Sequence, residues 1–213
     1  MHAPAHFRMD DQDEMTAFIE ARHFATLVVA GPNGPQAAYI PMILNRDDAG
    51  RAVSLEGHVA RSNPVAAIAA SGARALAIFH GANAYVTPSL YASKREHGRV
   101  VPTWNYIAVE VAGSVEAFGD AASLQRQIER LTDMMERPAA APWAVSDAPA
   151  DYVSKLINGI TGLRLAIERI EGVRKLSQNK PEGDRAGVLN GFAHSNDSAA
   201  QDLAREMIST KDA

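Results

Sequence analysis

The sequence predicts a mainly β protein of the α+β class, a small barrel or meander with helices between and after its strands. Five or six short β-rich runs recur along the chain, separated by turns rich in Gly, Pro, Asn and Asp. No βαβ rhythm accompanies them, which argues against a doubly wound parallel sheet. At 213 residues the chain fits one generous domain, or a core with helical additions, and buries a core without disulfides or metals.

The elements follow in order. Asp10 to Ala21 opens on an Asp-rich turn and sets Met15, Phe18 and Ile19 on one stripe, as an N-capped amphipathic helix does. Phe24–Ala30 and Gln36–Leu44 flank Gly31-Pro32-Asn33-Gly34-Pro35, whose Asn-Gly suits a hairpin turn. Ala52–His58 is a third strand, and Asn63-Pro64 is an N-cap and first helical position for a short helix to Ala70. Arg74–Phe79 is a fourth strand, whereas Pro88 and the polar stretch to Arg99 make Tyr85–Ser89 an extended loop. Trp104–Phe118 is a long strand with Gly113 at a bulge or bend. Asp120 caps a helix bearing Leu124, Ile128, Leu131 and Met135; Ala150–Ile157 is a short helix, Leu163–Leu176 a last strand, and Asp184–Ile208 a helical tail.

Composition removes several function classes. Cysteine is absent, so there is no disulfide framework, thiolate metal site or cysteine nucleophile. The start of the chain carries neither an apolar run nor a basic leader, and no window approaches the ~20 apolar residues of a membrane helix, so a cytoplasmic protein is expected. Net charge is −4 with basic residues scattered among acidic ones, which disfavours direct binding to duplex DNA. The seven histidines do not pair at ligand spacing and no metal site is expected; Glu56, Glu110 and Glu116 are expected to face solvent from their strands.

Three segments at strand ends are polar in ways a core does not require. Gly57–Pro64 sets Arg61, Ser62 and the amides of a capped helix within one turn, good chemistry for a phosphate, with His58 nearby; an ordinary cap beside a solvated Arg is the alternative. Val101–Tyr106 opens the long strand with Thr103, Trp104 and Asn105, an aromatic ring beside hydrogen-bonding groups that can flank a flat heterocycle, or simply barrel core. Arg174–Pro181 gathers donors and cations after the last strand, where a solvated face is the alternative.

Taken in order, these segments resemble the PaiB-type family of FMN-binding negative transcriptional regulators, itself similar to pyridoxine 5′-phosphate oxidase and other split β-barrel flavoproteins. The resemblance runs from about residue 5 to 192 and rests above all on Val101-Pro102-Thr103-Trp104-Asn105-Tyr106 and Lys175-Leu176-Ser177-Gln178-Asn179-Lys180, with Gly57–Pro64, Thr87-Pro88-Ser89, Tyr91, Lys94 and Glu96-His97-Gly98 between. It implies a six-stranded split β-barrel with peripheral helices over residues 1–192 and a helical tail over 193–213, and a homodimer holding two FMN molecules, each contacted by both subunits. It also implies that Arg61, Ser62 and Asn63, with His58 nearby, take the phosphate. Thr103, Trp104 and Asn105 line the ribityl chain or ring, and Lys175, Ser177, Gln178 and Asn179 come from the partner. The family pattern carries His where Tyr39 stands and Trp where Leu90 stands.

The implied function is a negative regulator or flavin sensor. The alternative is a flavin-dependent oxidoreductase that uses NAD(P)H on a small-molecule substrate under a loop from Ala82 to Val101; no acid–base dyad is visible, so its catalytic residues are unassigned. A flavin carrier or empty scaffold is a third reading.

Overall fold

The structure is a computed structural model that describes residues 1–209. After a turn at Ala5–Phe7 come β1 (Arg8–Met9), α1 (Gln12–Arg22), β2 (Phe24–Gly31), β3 (Gly34–Pro41), β4 (Ile43–Arg46), β5 (Ala52–Ala60), α2 (Pro64–Ala70) and β6 (Ala73–Val86). A turn at Pro88–Leu90 and α3 (Ser93–Glu96) lead to β7 (Thr103–Phe118), α4 (Ala121–Glu136), α5 (Ala150–Ile157), β8 (Ile160–Lys175), α6 (Glu182–Ala193) and α7 (Ser198–Ser209). The strands form one sheet in the order β3-β2-β6-β7-β8-β5-β4, with β1 paired to β8. The path stays open at β3 and β4, as a split barrel requires. Six strands carry it, from 8 residues in β2 and β3 to 16 in β7 and β8, while β1 and β4 contribute only 2 and 4.

The chain divides into two compact units. One comprises Thr16–Phe79 and Glu110–Ile170. Here strand alternation turns Ala25, Leu27 and Val29 inward, in register with Phe79, Ala77 and Ala75 of β6. Two glycines permit close backbone approach: a Cβ on Gly57 would lie 2.7 Å from the Pro41 carbonyl oxygen, and one on Gly113 would lie 1.7 Å from that of Ala166. The run expected over Gln36–Leu44 breaks into β3 and β4 at Met42, whose N–H donates to His23 O at 2.8 Å. The caps at Asn63 and Asp120 stand as the sequence predicts, accepting from Val65 N at 2.9 Å and Ser123 N at 2.8 Å. On α4 the buried stripe is Leu124 and Gln127, whereas Met135 is exposed.

The other unit comprises Met1–Met15, His80–Val109 and the chain from Glu171 onward. Its core joins Val86, Ile107 and Val109 of the strands to Val188 and Phe192 of α6 and Leu203 and Met207 of α7. The fourth strand continues past Phe79 to Val86, so Tyr85 is in β6 and not in a loop; the strap between β6 and β7 begins only at Thr87. Asp184 of α6 fastens the strap, accepting from Ser93 N at 2.9 Å and Ser93 Oγ at 2.6 Å. The tail is two helices with a break over 194–197, and its expected residues 210–213 lie outside the described residues.

Candidate functional site

The phosphate segment closes β5. The Arg61 backbone N–H donates to Gly159 O at 2.8 Å, which fixes the turn, while the Arg61 side chain is exposed and makes no hydrogen bond or ion pair among the described residues. Ser62 is exposed beside it. A guanidinium and a hydroxyl that no carboxylate has claimed suit a phosphate dianion. Asn63 is otherwise committed, since its Oδ1 caps α2. His58, half-buried, is hydrogen-bonded through Nδ1 to Gln127 Oε1 at 2.8 Å. Gln127 is 1% exposed and its Nε2 has no partner. This residue escaped the sequence reading, although a Gln three positions after Leu124, inside an apolar stripe, was a visible signal.

Glu56, expected to face solvent, is buried. It accepts from Arg164 Nε at 2.8 Å and lies 3.7 Å from Arg130, while Arg164 also reaches Glu116 at 3.3 Å. A carboxylate between β5 and α4 is retained because cations surround it.

In the other unit, Thr103–Asn105 and Lys175–Asn179 meet within a single chain, although the resemblance assigns them to different subunits. Lys175 Nζ donates to Thr103 Oγ1 at 2.7 Å, and Asn105 Nδ2 donates to Ser177 Oγ at 3.0 Å. Asn105 is 0% and Ser177 2% exposed, so these two spend their side chains on each other, and Ser177 holds a left-handed φ of 62°. Gln178 is tied to the backbone, its Oε1 accepting from Leu176 N at 2.7 Å. Asn179 is exposed with no side-chain partner. Trp104 is exposed and meets Tyr85 edge to face, with ring centroids 6.0 Å apart. Of this set, Trp104 and Asn179 are exposed, Lys175 and Thr103 are bonded to each other, and Asn105, Ser177 and Gln178 shape the backbone that carries them.

The two departures from the family pattern have different characters. Tyr39 is exposed on β3, in register with Thr26. Leu90 packs on α6, where a Cβ on Gly191 would fall 2.4 Å from its Cδ2. Leu90 is thus a packing residue of the strap.

Among the described residues no group of His, Cys, Asp or Glu could hold a metal ion, and no helix is long and apolar enough to cross a membrane. An open, mainly β antiparallel sheet with peripheral helices is the architecture of a split-barrel protein. Residues 1–169 match the family described as "Putative FMN-binding domain", and the chain belongs to that family, with FMN as its cofactor. An uncharacterized protein of Emericella nidulans is 33% identical over 84% of each chain. The protease synthase and sporulation protein PAI 2 of Bacillus subtilis is 27% identical over 97% of this chain and 96% of its own. Two solved structures share the fold: the flavocytochrome Anf3 of Azotobacter vinelandii, with a TM-score of 0.59 and 14% identity over 87% of this chain and 78% of its own, and an FAD and heme binding protein of Mycobacterium smegmatis, with a TM-score of 0.57 and 17% identity over 86% and 80%.

Proposed function

We propose that the chain is a homodimeric FMN-binding regulator of the PaiB type that acts in the cytoplasm, with the occupancy or redox state of its flavin as the signal. Arg61 carries the proposal: an exposed cation on a backbone turn fixed by Gly159, with no carboxylate to neutralise it, is the phosphate anchor. Ser62 adds a hydroxyl, His58 stands by under Gln127, and Asn63 preserves the turn by capping α2. Thr103, Trp104, Lys175 and Asn179 form a second set of flavin contacts, toward the ribityl chain or ring. Bound FMN supplies one- and two-electron chemistry, so the protein needs no acid–base pair of its own.

The alternative, an oxidoreductase drawing on NAD(P)H, needs the strap to open and close over a small-molecule substrate. Instead Ser93 and Asp184 fasten the strap through two buried hydrogen bonds, which supports the sensor over the enzyme. The full-length likeness to a protein named for protease synthesis and sporulation points the same way.

Titration of the purified protein with FMN, followed by flavin absorbance, tests the proposal. Saturation near one FMN per chain is expected. Arg61→Ala removes a charged hydrogen bond worth about 1.5–3 kcal/mol, so the Kd rises by about 10- to 100-fold. An unchanged Kd in the variant refutes the anchor, and sustained NAD(P)H oxidation with a small acceptor refutes a purely sensory role.

A further inference from the structure

A cavity of about 580 Å³ lies in the unit that contains β5, bordered by the end of α1, β4 and the C-terminal half of α4. Its volume falls within the roughly 300–1,000 Å³ typical of small-molecule sites. None of its lining residues belongs to the flavin segments.

The lining has an apolar base and a charged rim. Ile43 and Leu44, buried at 5% and 9% exposure, form the base with Met134. Glu20 is already neutralised by Arg46, which approaches it at 3.0 and 3.2 Å. Arg130 has only Glu56 at 3.7 Å, and that carboxylate already holds Arg164 at 2.8 Å. Seven residues further, at the C-cap of α4, Arg137 is exposed, and its guanidinium has no hydrogen bond or ion pair among the described residues. Two weakly committed guanidinium groups thus face a single uncommitted carboxylate, Asp133. At the rim His23 takes a left-handed φ of 44°, held by its N–H to Ile19 O at 2.9 Å and its carbonyl to Met42 N at 2.8 Å. Burial, only partly opposed by Glu20, lowers the basicity of that ring, leaving a neutral hydrogen-bonding group at neutral pH.

We infer that this cavity is a second ligand site, separate from the flavin segments, for a small organic monoanion: a carboxylate whose head meets Arg130 and Arg137 and whose aliphatic or aromatic body covers Ile43, Leu44 and Met134. The Arg137 guanidinium, without a partner among the described residues, over an apolar base selects this class. A cation meets two guanidinium groups, and a polar anion without a body leaves the base uncovered.

Benzoate is the probe, titrated into the ¹⁵N-labelled, FMN-loaded protein, with benzylamine as the isosteric cation. Saturable shifts of the amides of residues 43, 44 and 130–137 are expected with benzoate and not with benzylamine. Arg137→Ala, at an exposed position, raises the benzoate Kd by about tenfold or more, and Arg137→Lys recovers part of the loss. No saturable shift with benzoate, equal binding of benzylamine, or an unchanged Kd in Arg137→Ala overturns the inference.

Discussion

Substitution of Gly187 by Ala tests the anchoring of the strap. A Cβ at this position of α6 would lie 2.0 Å from the Leu90 carbonyl oxygen and 3.2 Å from its carbon. The obstacle is backbone, so either α6 or the Pro88–Leu90 turn must move by about 1 Å to restore contact distance. Ala gains about 1 kcal/mol over Gly in a helix, while overpacking costs about 1–3 kcal/mol, its upper end applying where no side chain can yield. The net loss is therefore about 2 kcal/mol, or about 4–8 °C in Tm for a chain of this size. Gly183→Ala on the same helix is the control: its Cβ would meet Ala92 Cβ at an ordinary 3.5 Å, so helix propensity alone acts and Tm holds or rises slightly. Gly191→Ala is intermediate, because the atom it meets, Leu90 Cδ2, can rotate away. Thermal melts of the three variants, with amide exchange over residues 88–98, provide the readout. If Gly187→Ala melts with Gly183→Ala or above the wild type, the strap is not seated on the glycine face of α6 and the reasoning fails.

Asp184 links the same anchor to pH. Burial raises its carboxyl, but the hydrogen bonds from Ser93 and the positive charges of Lys180 and His97 outweigh that effect and hold it below the ordinary carboxylate value. The native state then binds this proton less readily than the unfolded chain, so the stabilisation is complete above an unfolded value of about 3.9 and fades as pH falls through the lower native one. Asp184→Asn is expected to unfold at lower urea at pH 7 and to show a flatter loss of stability toward acid; an unchanged acid profile contradicts this. Asn105→Ala strands the buried Ser177 hydroxyl and costs about 1–3 kcal/mol, read as a lower urea midpoint; a coupling near zero in the Asn105→Ala/Ser177→Ala cycle refutes the pairing.

Local signals were legible in the sequence wherever neighbouring residues decide the outcome. Asn63-Pro64 and Asp120 started their helices because an Asx cap and a proline at the first turn act within three residues. The Asn-Gly turn closed its hairpin, and the string from Val101 to Tyr106 marked the opening of β7, although whether Trp104 was core or exposed was decided only by the structure. Arg61 and Ser62 could be singled out because a cation and a hydroxyl beside a capped helix are unusual in adjacent positions.

Pairings across long sequence distances were not legible. Asn105 and Ser177 stand 72 residues apart, His58 and Gln127 69, Glu56 and Arg164 108, and nothing local states that these polar groups are buried together. Glu56 reads as a solvent-facing strand residue until α4 and β8 bring Arg130 and Arg164 to it. Tyr85 reads as loop because Pro88 follows, yet pairing within the sheet carries β6 on to Val86. The sequence by itself determined the class of the fold, the helix caps and the cofactor family. Only the tertiary structure decided which donors remain free for a ligand, because a hydrogen-bonding group is available only when no distant element has already satisfied it.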